Sequence, residues 1–263
     1  MKIDYEGRTV VVTGGTGALG HAVVELLLES DARVVVPALN DDEAQRTRFG
    51  GNDGVSIVVS GSLADEANAE RFYQRVDGLW ASVQIAGGFA MSPLAETSLD
   101  DFRRMMQMNA ESCFLCCREA VKRMRANRDA VVGARGQRLT GGDDRELASG
   151  NDESALARGS GRLVNVAARP ALSPVGGMLA YSTSKAAVAA ITQSLAQELL
   201  GERLWVNAIV PSIIDTPANR MAMPKADHSL WPRPDEIARA VVFLASPQNA
   251  TTSGALVPVY GAA

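Results

Sequence analysis

Arg8-Thr-Val-Val-Val-Thr13-Gly-Gly-Thr-Gly-Ala-Leu-Gly20-His-Ala-Val-Val-Glu-Leu-Leu-Leu-Glu29 is the stretch that decides the fold. Arg8 to Thr13 is a β-branched run, which favours a buried extended strand. Glycines crowd the positions after it, and an amphipathic helix runs from His21 to Glu29. Glycine permits a tight turn between the two and leaves backbone N–H groups, with the helix N-terminus behind them, open to a pyrophosphate. A glycine-rich turn alone says little; set between a strand and a helix it points to a dinucleotide. The expected phosphate-side residues are Gly14, Gly15, Thr16, Gly17, Ala18, Leu19 and Gly20.

A second stretch, Gly161 to Val188, carries the chemistry. Leu163 to Ala167 reads as a buried strand, a loop broken by Pro and Gly follows, and a helix begins near Leu179. Tyr181 and Lys185 are four apart on that helix and share a face. An ammonium about 4 Å from a phenolate gains roughly 4 kcal/mol at an effective dielectric of 20. That is expected to draw the tyrosine pKa below its usual value of about 10, before burial pushes it back up. A tyrosine so tuned gives or takes a proton near neutral pH.

The 263 residues are ample for one α/β domain, with 46% apolar residues, 21% charged residues and a net charge of -4. Mild acidity gives no reason to expect nucleic acid or an anionic membrane as partner; a small-molecule substrate is the expectation. No apolar run approaches a membrane span and no signal peptide is read before the first strand, so a cytoplasmic location is expected. Cys113, Cys116 and Cys117 lack a second ligand pair or a nearby His, so they read as small buried hydrophobes rather than a metal site.

Strands are expected over Arg33 to Ala38, Val55 to Ser60, Ala81 to Ala86, Leu204 to Val210 and Ala255 to Tyr260. Helices are expected over Ala64 to Val76, Leu99 to Asn127 and Asp235 to Ala245. Alternation of this kind predicts a single Rossmann-type domain over residues 1–263, doubly wound, with seven parallel strands. Asn127 to Arg158 has no sustained apolar period and reads as a disordered surface insertion. It enters the N-terminal edge of the sheet, whereas ligands bind at the C-terminal edge.

The glycine turn together with Tyr181 and Lys185 resembles the short-chain dehydrogenase/reductase family across nearly the whole chain. The resemblance implies that Asn109 holds a water leading to Lys185, and that Ala38, Ser62, Leu63, Ala86, Gly87, Gly88, Pro211, Ile214 and Thr216 line the cofactor site with Tyr181 and Lys185. It also implies a homodimer or homotetramer, built on the long helix from Leu99 and the Tyr181 helix. Four positions depart from the pattern: Gln84 where the family has Asn, Ser212 where it has Gly, Ser62 where it has an adenine-contacting Asp, and Ala38 where NAD-preferring members have an acid. Asp41 and Asp42 tilt the expectation to NAD, with NADP left open; Arg46 and Arg48 are the candidate 2′-phosphate ligands.

A further departure is Ala168, at the position of the family's substrate-binding serine. Ser173 from the same loop is one substitute; loss of chemistry, leaving a dinucleotide sensor, is another reading. Asp215-Thr-Pro-Ala-Asn-Arg-Met-Ala-Met-Pro-Lys-Ala-Asp227 and Ala86-Gly-Gly-Phe89 are similar to segments of dihydropteridine reductases, which also have alanine there. That resemblance implies hydride transfer to a conjugated imine; Phe89 reads as a core or rim aromatic, with stacking on a flat substrate as the other reading. A general ketone/alcohol oxidoreductase of the same family is the alternative.

Overall fold

The computed structural model describes residues 3–45, 47, 49, 51–139 and 161–263, with residues 129–139 as backbone only. Seven strands form one sheet: β1 Thr9–Thr13, β2 Arg33–Ala38, β3 Val55–Val59, β4 Leu79–Gln84, β5 Gly161–Val166, β6 Leu204–Pro211 and β7 Leu256–Val259. Their order is β3-β2-β1-β4-β5-β6-β7, and every neighbouring pair is parallel. The connections reverse direction between β1 and β4, which opens a crevice beyond the C-terminal ends of those two strands.

Side-chain alternation along the strands divides the core in two. Val10 and Val12 of β1 face α1 (Ala18–Glu29) and the late helix Pro234–Ala245, while Val11 faces α3 (Glu66–Gln74) and the long helices beyond it. Between them, α2 is a short helix at Asp41–Gln45. Both faces being covered, β4 and β5 are buried at every residue, including their polar members Ser82, Gln84, Arg162 and Asn165.

The helix expected over Leu99 to Asn127 differs from that expectation in two ways. It is interrupted: α4 (Leu99–Met105) passes into a π-helical segment, Met106–Glu111, before α5 (Ser112–Leu139) resumes. It is also longer, so the first part of the segment expected to be a disordered insertion, residues 127–139, is helical backbone. Residues 140–160 lie outside the described residues.

After β5 come α6 (Arg169–Leu172), α7 (Leu179–Glu198), α8 (Pro217–Ala222) and α9 (Pro234–Ala245). The short α6 and α8 were not foreseen; each begins with a proline in its first turn, where a missing N–H costs nothing. Among the described residues no helix is long and apolar enough to cross a membrane, and no group of His, Cys, Asp or Glu is placed to hold a metal ion.

Candidate active site

The glycine turn is shaped by contact rather than by flexibility alone. Gly14 has φ +67°, and a Cβ on it would stand 2.8 Å from the Ala86 nitrogen, so only glycine lets the turn lie against the end of β4. Thr13 Oγ1 completes the join by accepting the Ala86 N–H at 3.2 Å. Gly15 packs under the Val36 methyls, and a Cβ on Gly20 would collide with the Gly14 carbonyl. Leu19 and Gly20 are buried, while Gly17 and Ala18 stay exposed at the start of α1. No side chain caps the N-terminus of α1, so its first amides remain available to an anion, and the turn fits a pyrophosphate.

Beneath the turn lies a buried polar chain that sequence reading missed. Gln84 Nε2 donates to Ser82 Oγ at 2.8 Å, and Ser82 Oγ meets the Tyr73 hydroxyl at 2.8 Å. The departure at Gln84 is therefore absorbed by partners on β4 and α3, a pattern visible only once that helix packs on the strand.

Past Gln84 the chain leaves the strand and runs Ile85-Ala-Gly-Gly-Phe89 along the crevice. Ala86 touches Gly14, and Gly87 backs both Asn109 and Lys185: a Cβ there would strike Asn109 Oδ1 and reach within 3.4 Å of Lys185 Nζ. Gly88 N–H donates to Asn109 Oδ1 at 3.0 Å, and Asn109 Nδ2 returns a bond to the Gly88 carbonyl at 3.0 Å. The same amide donates to Ser184 Oγ at 3.1 Å, and Ser184 donates to the Tyr181 carbonyl at 2.8 Å. Asn109 thus ties the crevice loop to the first turn of α7. Its place in the π-helical segment suits this, since an extra residue in the turn re-aims a side chain.

Lys185 is buried and donates to the Val166 carbonyl at 2.8 Å. Burial draws its pKa down to about 8, against a smaller opposing effect of Cys113. Tyr181 corrects the expectation from spacing. Its pKa is pushed up to about 12 by burial rather than drawn down by Lys185. The ammonium donates its hydrogen bond to the end of β5, and burial sets the Tyr181 shift.

Phe89 meets Tyr181 edge-on with ring centroids 4.9 Å apart, and is 58% exposed, so it borders the opening rather than the core. Ala168 is buried at the N-cap of α6, and Ser173 is exposed just after that helix. Pro211 ends β6, the Ile214 carbonyl accepts Asn219 Nδ2 at 2.8 Å, and Thr216 caps α8 by accepting the Asn219 N–H at 3.2 Å. Ser212 donates to the Tyr260 carbonyl at 2.6 Å, which gives the serine in place of glycine a structural partner. Ser62 accepts the Ala64 N–H at 3.3 Å and is exposed, with Leu63 buried beside it. Ala38 is buried at the end of β2; the side chains of Arg46 and Arg48 lie outside the described residues.

Comparison with known proteins follows this geometry. A family model described as short chain dehydrogenase matches residues 8–133, and one described as Enoyl-(Acyl carrier protein) reductase matches residues 148–261. Galactitol 2-dehydrogenase of Rhizobium johnstonii is 31% identical, with 98% of this chain and 96% of that protein aligned. D-threitol dehydrogenase of Mycolicibacterium smegmatis is 28% identical over 99% of this chain and 96% of its own length. A short-chain type dehydrogenase/reductase structure from Mycobacterium ulcerans superposes with a TM-score of 0.80 at 21% identity, over 99% of this chain and 90% of its own.

Proposed function

Because the chain belongs to the short-chain dehydrogenase/reductase family and is an NAD(P)-dependent oxidoreductase, we propose that it reduces a conjugated imine or carbonyl group with Tyr181 as proton donor. The observation that carries this is the run Ala86-Gly-Gly88. It contacts the glycine turn on one side and Asn109 and Lys185 on the other, so dinucleotide and proton source share one crevice.

When bound, the nicotinamide dinucleotide supplies the hydride. Tyr181, protonated at neutral pH because burial disfavours its phenolate, gives its hydroxyl proton to the acceptor oxygen or nitrogen. Lys185, with a pKa of about 8 and its Nζ against Gly87, is a second proton reservoir on the same crevice, without direct contact with the Tyr181 hydroxyl. Asn109 keeps Gly88 and the Tyr181 turn in register. The proton donor and the hydride must approach one double bond together, and a fixed crevice removes most of that entropic cost.

For the acceptor, a flat conjugated ring of the dihydropterin kind is favoured by two features: Ala168 brings no hydroxyl to an oxyanion, and Phe89 offers an exposed ring beside Tyr181. A ketone/alcohol substrate is the second reading, favoured by the relatives named for sugar alcohols. A dinucleotide sensor is disfavoured by the joint presence of Tyr181, Lys185 and Asn109. We place the chain in a homodimer or homotetramer; Leu99, Met108, Phe114 and Leu179 are exposed apolar residues on the long helix and on α7.

The test is oxidation of NADH and NADPH against quinonoid dihydropterin, quinones and ketones. Turnover of dihydropterin well above ketones supports the first reading, and the reverse supports the second. Gly14→Val should abolish dinucleotide binding by titration calorimetry; unchanged affinity would sink the cofactor assignment. Light scattering that shows a monomer at all concentrations would remove the oligomer.

A further inference from the structure

We infer that Glu43 sorts the two nicotinamide dinucleotides, holding the adenosine ribose of NAD(H) and turning away the 2′-phosphate of NADP(H); this rests on the dinucleotide reading above. The end of β2 carries no acid of its own, since Ala38 and Leu39 stand there. The fold brings one back from α2. Asn40 Oδ1 accepts the Glu43 N–H at 2.9 Å and secures the first turn of that helix. Glu43 Oε2 then accepts the Leu39 N–H at 2.6 Å, and Oε1 accepts the Thr16 hydroxyl.

One carboxylate therefore bridges the glycine turn and the end of β2. The gap it spans is narrow because Gly15 lies directly against Val36, where a Cβ would stand 2.9 Å from both methyls. A dinucleotide with its pyrophosphate on the turn lays its adenosine half across the neighbouring strand, here β2. Glu43 faces that path.

The chemistry separates the two ligands. A carboxylate accepts charge-assisted hydrogen bonds from the ribose hydroxyls. A 2′-phosphate replaces one hydroxyl donor with negative charge, and like charges repel. Asp41 and Asp42 on the same helix add to the negative field. Repulsion of this kind at a partly solvated site is worth about a hundredfold in affinity.

Calorimetric titration of the full chain with NADH and NADPH, and with ADP-ribose and its 2′-phosphate, reads the effect directly. Wild type should bind NADH about 10²-fold tighter than NADPH, and added salt should narrow the ratio. Glu43→Gln should bring the ratio below about tenfold, mainly by tightening NADPH. Thr16→Val, which frees the carboxylate from the turn, should move it the same way by a smaller factor, and serves if Glu43→Gln fails to fold. Wild type that favours NADPH, or variants that keep the ratio, would overturn the inference and leave the dinucleotide reading intact. If neither dinucleotide binds, both fall.

Discussion

The two ends of β5 each bury a cation, and among the described residues neither has a carboxylate partner. At the N-terminal end, Arg162 lies with its guanidinium 4.9 Å from the Trp80 ring centre and 5.9 Å from that of Trp205. At the C-terminal end, Lys185 donates to the carbonyl of Val166, the last residue of the strand. Burial lowers both pKa values, Arg162 to about 10 and Lys185 to about 8. The physical cost is of one kind, but the outcome differs. Arginine keeps its charge throughout the neutral range and serves as a clamp between aromatic rings. Lysine is brought to where it can lose a proton, next to a crevice that can use one.

The largest expected effect breaks the C-terminal end. Tyr181→Phe should lower turnover by about 10²–10⁴-fold while dinucleotide affinity stays within a few-fold. Because the Tyr181 pKa is raised, reduction by wild type should be nearly flat from pH 6 to 8. Oxidation, which needs the phenolate, should climb with pH. A pH-independent oxidation rate would remove Tyr181 from the proton path.

Next is Lys185→Met, read by urea unfolding of the dinucleotide-free protein. The folded-state pKa of about 8 lies below the ordinary 10.5, so between those values the unfolded chain holds a proton that the folded chain has lost. Wild-type stability attributable to this group therefore rises with pH across that window, and below it the full penalty remains. The variant should be more stable at pH 7 by about 2 kcal/mol, after allowing for its lost bond to Val166. Its advantage should shrink as pH passes from 8 towards 10.5. A variant less stable at pH 7 would mean that the ammonium is better solvated than its burial implies.

Ala168→Ser is expected to be smaller still and to depend on substrate. For a ketone the new hydroxyl should raise the rate by about tenfold, less than a dedicated oxyanion donor contributes. Position 168 is the N-cap of α6, so the hydroxyl has a local backbone amide competing for it. For a conjugated ring the change should be neutral or adverse. A large gain with dihydropterin would contradict the delocalised acceptor.

The least effect should come from the other end of β5. In Arg162→Met the lost cation–π contact, about 0.5–2 kcal/mol, is opposed by relief of a buried charge, leaving stability within about 1 kcal/mol. Turnover should stay within twofold of wild type. A strong loss of activity with the fold intact would show that the two ends of the strand are coupled.

Sequence alone determined the architecture. Strand and helix periods, the glycines between β1 and α1, and the alternation along the chain act locally, and each can be read within a window of ten to twenty residues. They led to the seven-stranded doubly wound sheet and to Tyr181 and Lys185 on one helix face, while Asn109 was added by the family resemblance. Tertiary structure decided what those residues experience. Burial, which depends on every element packed around a group, overrode the four-residue spacing of Tyr181 and Lys185 and raised the tyrosine pKa. The π-helical turn that aims Asn109 has no signature in apolar period, since one added residue leaves the pattern almost unchanged. Glu43 went unread because its meaning lies in a bond to Thr16, 27 positions away, across two neighbouring strand ends. Pairing between distant segments is what a linear pattern does not encode at any single position.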